Sequence, residues 1–492
     1  MNNKKNAISS IILQLATILQ GLILPRVILA EFGSEVNGLV SSITQYLGFI
    51  ALLEGGLGAV VLAELYKPIE EKNTDRIQGI LNSCQSFFTK LTGVFMVFTF
   101  LVAFIYPRVV DTSFSNNYVA VLVLILSMTT VAQYLFSITY RLYLQAAQQL
   151  YIVNIISAVT ILVNSSVAIL LVFTLKDIHM VKLWSGIVFF VQPVTYHFFV
   201  EKKFLRSSIK KSANKYELKD RWSGFAQNFA HFVNLNTDIA LITLFMPIES
   251  VSVYAVYFLI INALRGVISS VGNSYQSALG KYIVQQDSEN LQNKFAKFEE
   301  SFWLIGMIAF FCCIILINPF VQIYTSGVND ADYYQPIFAF IIVLANMIYV
   351  IREPYRLLVL AGGKFRETNP GSIGEAVINL GLSFILIIKF GLIGVAIGTL
   401  AAMVFRLCYL LWYLKRDILK KSYSSTVPFF ITFFLLLVIN LYIYVSYSFS
   451  LSNMFNLFIA ACVTLALESA TCLLIYWCVQ RIWSRVSNKF LK

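Results

Sequence analysis

The chain has 492 residues, of which 58% are apolar and 13% charged, against about 25% charged in an ordinary soluble domain. That deficit excludes a soluble enzyme, and the net charge of +12 therefore does not point to a nucleic-acid partner. Crossing a bilayer core of about 30 Å takes roughly 20 apolar residues per helix. Fourteen such runs are predicted: 7–30, 36–65, 82–106, 118–140, 151–175, 181–200, 223–246, 251–280, 301–325, 335–360, 372–388, 391–414, 427–447 and 454–480. They are long and continuous rather than short and alternating, so they read as helices of an all-α integral membrane protein and not as strands of a barrel.

The first run follows Met1-Asn2-Asn3-Lys4-Lys5 and has the look of a signal peptide. It is too long, lacks a small-residue cleavage site and leads straight into the second run, so it is read as a retained first span. It carries Ser10, Gln14, Thr17 and Gly21 at helical spacing, then Arg26 after Pro25, placed to snorkel outward or to meet a ligand. Span two carries Asn37, Ser41, Gln45 and Gly48 in the same manner. Deep within it lies Glu54-Gly55-Gly56-Leu57-Gly58, where glycines permit a break and Glu54 is a candidate arginine partner or carrier of a coupling proton. Lys90 in span three and Arg406 in span twelve lie within snorkelling reach of the surface.

Between spans six and seven, residues 201–222 hold eight Lys/Arg against three acids. This is either a linker that also sets topology or a binder of anionic headgroups. It divides an N-lobe of spans one to six (1–200) from a C-lobe of spans seven to twelve (223–414), with spans thirteen and fourteen (427–480) beyond both. Span seven carries Gln227, His231, Asn234 and Asp238 on one face, His231 reading as an interhelical histidine or a proton relay. Span eight carries Asn262, Arg265, Ser269, Asn273 and Gln276 on one face. Four equivalent polar faces, on the first two spans of each half, suggest a shared water-filled cavity; hydrogen bonding between helices recruits the same residue types.

An ionisable residue deep in a membrane costs about 2.5–3.5 kcal/mol on insertion scales, so each needs a reason. Arg265 reads as a ligand-binding group or as one half of a salt bridge to Asp238. Arg352 precedes Glu353 and Pro354; the proline kinks the helix, and a local Arg–carboxylate pair competes with substrate contact. Arg141 and Arg356 end spans four and ten and either set topology or greet an incoming phosphate at the cytoplasmic entrance. Glu375 and Glu468 are further intramembrane acids. With the N-terminus inside, 28 of the 37 Lys/Arg fall in cytoplasmic segments and four in external ones, which places both termini in the cytoplasm.

Shifting the chain by 215 residues superposes it on itself. Tyr140-Arg141-Leu142 and Ala146 fall on Tyr355-Arg356-Leu357 and Ala361, Asn154 on Asn369, Asn164 on Asn379, Tyr118 on Tyr333 and Val36 on Val251. The shift spans six helices, an even number, so the halves are parallel repeats about an axis along the membrane normal, an arrangement suited to alternating access. The seven cysteines lie within apolar runs without CxxC spacing, so neither disulfide nor metal is expected. No nucleophile elbow, dinucleotide fingerprint or P-loop is present, so no catalytic residue, metal or cofactor is assigned. Energy then comes from H+ or Na+, the membrane potential or substrate consumption. A cationic intramembrane site asks for an anion, and arginine's planar fork suits phosphate, with amides and hydroxyls nearby suiting a sugar. A cationic-drug exporter would use buried acids, and Asp238 and Glu54 keep that alternative open.

Leu24-Pro25-Arg26, Glu35-Val36-Asn37-Gly38-Leu39, Glu54-Gly55-Gly56-Leu57-Gly58 and Val251-Ser252-Val253-Tyr254-Ala255-Val256 resemble Wzx-type polysaccharide flippases. These belong to the multidrug/oligosaccharidyl-lipid/polysaccharide (MOP) exporter superfamily, which also holds MATE drug exporters and MurJ lipid II flippases. The resemblance implies two pseudo-symmetric six-helix lobes in a V shape plus two C-terminal helices. It also implies that arginines on spans one and eight, here Arg26 and Arg265, line the cavity. The implied activity is transfer of undecaprenyl-pyrophosphate-linked oligosaccharide across a bacterial cytoplasmic membrane by a monomer, for capsule, exopolysaccharide or O-antigen. A polysaccharide polymerase and glycosyltransferases are the implied neighbours. Lipid II or teichoic-acid-precursor flipping, drug antiport, and a scaffold for polysaccharide enzymes are the alternatives.

Overall fold

The structure is a computed structural model that describes residues 2–54, 57–200, 236–284, 288–419, 425–446, 451 and 453–490. Among these residues there is no strand, and twelve helices are long and apolar enough to cross a membrane. The chain is thus a multi-pass helical membrane protein. The count agrees with the fourteen predicted runs. The first two share the stretch Lys4–Glu54, the seventh is described only as the short helix Asn236–Phe245, and each of the others has one long helix. The basic stretch 201–222 lies outside the described residues.

In chain order the helices are α1 (Asn2–Gly48), α2 (Ala51–Glu54), α3 (Leu57–Glu70), α4 (Thr74–Val109), α5 (Asn116–Ala132), α6 (Ile138–Ala146), α7 (Leu150–Leu175), α8 (Ile178–Phe189) and α9 (Val191–Phe199). They continue with α10 (Asn236–Phe245), α11 (Glu249–Val284), α12 (Ser288–Tyr324), α13 (Pro336–Ile351), α14 (Glu353–Ala361), α15 (Phe365–Phe390), α16 (Leu392–Tyr413), α17 (Val427–Ser446) and α18 (Met454–Phe490). Several starts are fixed by short polar side chains that satisfy an orphan amide: Asn73 accepts from Arg76 N at 3.0 Å and Asp177 from His179 N at 2.8 Å.

The chain folds as two compact units. One takes the described residues up to 200 and adds Thr243–Ser252; the other takes 236–242 and everything described from Val253 onward. In the first, α1 packs along α7 and α4 along α5; in the second, α15 packs along α16, α13 along α16, and α12 against α13 and α18.

The 215-residue repeat recurs in the helix boundaries. α7 and α15 are both 26 residues long and start and stop one repeat apart, and α4 and α12 end one repeat apart, at Val109 and Tyr324. Gly33 breaks α1 with φ 81° and ψ −178°, a conformation open essentially only to glycine. Ser34, the next residue, lies one repeat before Glu249, where α11 begins.

The fourth span of each half is also interrupted at the same register, by different means. In the second half the helix ends at Ile351 and resumes at Glu353, because Pro354 has no N–H and its ring crowds the carbonyl a turn earlier. In the first half a π-helical turn runs from Gln133 to Ser137, the repeat mate of Arg352. No proline is present there. Instead Gln85 of α4 reaches in, its Nε2 donating to the Leu135 carbonyl at 2.6 Å and its Oε1 accepting from Thr139 Oγ1 at 2.8 Å. Span two breaks at Phe49–Ile50, just ahead of the glycines, whereas its mate α11 is continuous; Gly55 and Gly56 lie outside the described residues.

Candidate functional site

The second unit holds a buried network of charge. Pro354 displaces the backbone at Arg352, and the Arg352 guanidinium turns to the Glu375 carboxylate on α15. Arg406 on α16 reaches the same carboxylate, Nε to Oε2 at 3.5 Å, and donates to the Thr368 carbonyl at 3.1 Å. Arg352, Glu375 and Arg406 are 3%, 6% and 4% exposed, so one acid is clamped between two arginines out of contact with solvent or lipid. A turn further on, Arg356 forms a two-pronged pair with Glu353, Nε to Oε2 at 2.8 Å and Nη2 to Oε1 at 2.5 Å.

Two sequence expectations are corrected here. Arg406 does not snorkel to the surface: it faces α15, where a carboxylate and a helix carbonyl compensate its charge. Arg352 pairs with Glu375 rather than with adjacent Glu353, because successive residues on a helix do not face one another, while Glu353 and Arg356 at i, i+3 do.

Arg265 stands beside this network with different partners. Its Nη1 donates to Asn346 Oδ1 at 3.2 Å, and its guanidinium lies 3.8 Å from the Tyr349 ring centroid. The Arg352 guanidinium lies 4.7 Å from that same centroid, so Tyr349 holds two cations against one ring. Among the described residues Arg265 forms no ion pair, with Asp238 or any other acid. Among the described residues the cluster comprises Arg265, Arg352, Arg356 and Arg406 against Glu353 and Glu375, a surplus of two positive charges. One repeat earlier, Arg141 matches Arg356, but Ile50, Ser137, Ile138, Thr160 and Val191 stand at the other five positions. The core of the cluster therefore belongs to the second half alone.

Asp238 forms a second centre in the same unit. It is buried, and its Oδ2 accepts from Tyr254 at 2.8 Å and from Thr399 Oγ1 at 2.9 Å. Asn379 Nδ2 donates to Thr399 Oγ1 at 3.2 Å. Asp238 Oδ1 and Asn379 Oδ1 are both buried without a hydrogen-bond partner. A carboxylate and an amide oxygen with spare lone pairs form the kind of all-oxygen donor set that suits a proton or a hard monovalent cation. Among the described residues no group of three or more His, Cys, Asp or Glu is gathered as for a transition metal.

The other candidates divide by surroundings. Asn262 is exposed, and Gln14 and Gln45 are half-buried. Asn37 donates to Ser252 Oγ at 2.7 Å, and Ser10 accepts from Asn154 Nδ2 at 2.9 Å, so both serve helix packing in the first unit. Arg26 is half-buried on α1, Glu54 is half-buried at the end of α2, and Arg141 is exposed. Gln227, His231 and Asn234 lie outside the described residues, as do the side chains of Asn273 and Gln276. Sequence reasoning missed Tyr349, Asn346, Tyr254 and Thr399, which carry no charge to single them out; Asn379 was visible only as the repeat mate of Asn164.

No family model matches the sequence, and no curated protein matches it. Solved structures do match. The chain is similar to the lipid II flippase MurJ in an inward closed conformation (TM-score 0.67, 16% identity, 97% of this chain and 99% of that one). It is similar to an inward-facing multidrug resistance MATE family transporter of the MOP superfamily (TM-score 0.61, 14% identity, 85% and 99%). It is also similar to such a MATE family transporter in an outward-facing conformation (TM-score 0.57, 14% identity, 86% and 96%). The fold is therefore the helical membrane fold shared by MurJ and the MATE transporters.

Proposed function

We propose that the chain is a flippase that moves an undecaprenyl-pyrophosphate-linked oligosaccharide repeat unit across the cytoplasmic membrane by alternating access, for assembly of a surface polysaccharide. The observation that carries this reading is Arg265: an intramembrane guanidinium whose partners among the described residues are an amide and an aromatic face, beside a cluster with surplus positive charge. Such a group keeps donors for a phosphate, and Arg352, against the same Tyr349 ring, adds positive charge behind it. The fold supports the reading too. The likeness to the lipid II flippase covers 97% of the chain against 85% for the inward-facing MATE transporter, a difference of the size of α17 and α18 together, which are 20 and 37 residues long.

On this reading Asp238, with Asn379 and Thr399, is the seat of a coupling H+ or Na+. Lipid II or a teichoic-acid precursor carries the same kind of phosphate linkage and is the nearest alternative substrate. The buried Asp238 carboxylate is the feature that favours cationic-drug antiport. Binding to the purified protein separates these. Undecaprenyl pyrophosphate is expected to bind and to be lost in Arg265→Ala, while a cationic dye does not compete. Tight dye binding that survives Arg265→Ala and fails in Asp238→Asn would replace the flippase reading with the antiporter.

A further inference from the structure

The last two spans lie outside the repeat, and they enclose an acid that the proposed mechanism leaves unused. Glu468 on α18 is 6% exposed. It lies about 20 Å of helix from Arg481, and its partner Asn440 lies about 20 Å from Val427, at 1.5 Å per residue. The acid is therefore deep in the span. Asn440 Nδ2 donates to Glu468 Oε2 at 3.4 Å, and Asn440 is fully buried. Among the described residues no basic group pairs with Glu468. Among the described residues the titratable side chains that face it are Cys312 from α12 and Cys472 on its own helix; Asn440 from α17 and Thr464 one turn back on α18 are its neutral neighbours.

An ionised Glu468 would be a charge in apolar surroundings with one long hydrogen bond, which is costly. A structural role alone needs no acid, since a glutamine would bond Asn440 equally well. A further observation points to exchange. Asn440 Oδ1 and Asn318 Oδ1 are buried acceptors without a hydrogen-bond partner, on two of the helices, α17 and α12, that pack with α18 along one seam. Polar groups stand at two levels of this seam. Beside Glu468, Thr464 Oγ1 meets Cys312 Sγ at 3.2 Å. Toward the end of α17, Asn318 Nδ2 donates to Tyr444 at 2.6 Å, and Tyr444 donates to the Pro336 carbonyl at the start of α13 at 2.6 Å. Between the two levels Cys312, Ile315 and Leu316 pack on Ile443, Leu457, Ala460 and Ala461. On the opposite side of Glu468 the seam closes behind an aromatic stack, Trp303–Phe429–Tyr476, with centroids 5.5 and 5.4 Å apart.

We infer that Glu468 is a proton-binding site of the C-terminal hairpin, held by Asn440. Only an O–H bond forms and breaks: the carboxylate takes a proton from water and returns it to water. A link to transport rests on the flippase reading; the proton site itself does not.

The test is infrared difference spectroscopy of the full chain in vesicles between high and low pH, on wild type, Glu468→Gln and Asn440→Leu. Wild type is expected to show a protonated-carboxyl C=O band that grows as pH falls. Glu468→Gln should lose that band, and Asn440→Leu should keep it but shift it upward as its hydrogen bond is removed. A band set unchanged in both variants overturns the proposal. So does a Glu468→Gln loss with no pH response in wild type, which leaves a structural hydrogen bond only. If Glu468→Gln does not insert, the Asn440→Leu shift decides alone. Transport measured on the same vesicles with and without a pH gradient is expected to lose its gradient dependence in Glu468→Gln. Absence of transport in wild type would count against the flippase reading, while the infrared result would still decide whether Glu468 binds a proton.

Discussion

Glu375→Gln perturbs the second unit at its most heavily committed charge. The variant keeps volume and some hydrogen bonding but leaves Arg352 and Arg406 buried without their shared anion. A unit-charge pair at about 4 Å is worth about 4 kcal/mol at an effective dielectric of about 20. Desolvation and relaxation reduce that gain, and breaking one buried pair costs about 3–5 kcal/mol in practice. That corresponds to a shift of about two to three and a half decades in the folding equilibrium, at about 1.4 kcal/mol per decade. The assay is unfolding of the purified protein in micelles, read as loss of its cooperative transition. Replacing the whole set, Arg352→Met with Glu375→Leu and Arg406→Met, is expected to restore stability to within about 1 kcal/mol, since apolar packing replaces buried ion pairs without loss. That triple variant should nevertheless fail to move substrate. The reasoning is refuted if Glu375→Gln unfolds within about 1 kcal/mol of wild type, or if the apolar triple is as unstable as the single variant.

Gly394→Val places a side chain against the backbone of Leu386 where α15 and α16 pack, and should destabilise by about 1–3 kcal/mol; Gly381→Val, with nothing within 4 Å, is the control and should melt like wild type. Gln85→Leu removes both hydrogen bonds that hold the π-helical turn. It should cost about 1–3 kcal/mol and speed amide exchange over residues 133–139 by mass spectrometry, with α13 unaffected. Asp238→Asn should abolish the dependence of transport on Na+ or pH while undecaprenyl pyrophosphate still binds; retained dependence removes Asp238 from the coupling role.

The repeat was legible because it rests on residues that lipid does not select. Tyr140-Arg141-Leu142 and Tyr355-Arg356-Leu357 stand out against an apolar background, and the equal lengths of α7 and α15 follow from the same shift. The break at Arg352 was legible from Pro354, but the matching π-helical turn was not, since its cause is a glutamine on another helix. Partner choice was the least legible feature. In a soluble helix the buried face is the apolar one, whereas here lipid-facing and protein-facing surfaces are both apolar, so sequence does not say which way Arg406 points. Its burial against Glu375 comes from the packing of α15 on α16, which no local pattern encodes.

The most direct measurement is transbilayer movement of an undecaprenyl-pyrophosphate oligosaccharide in vesicles, wild type against Arg265→Ala and Arg265→Lys. Movement is expected with wild type, none with Arg265→Ala, and only partial recovery with Arg265→Lys, because an ammonium lacks the planar fork that grips a diphosphate. Movement by Arg265→Ala at the wild-type rate would contradict the assignment of Arg265 as the phosphate-binding group and, with it, the flippase reading.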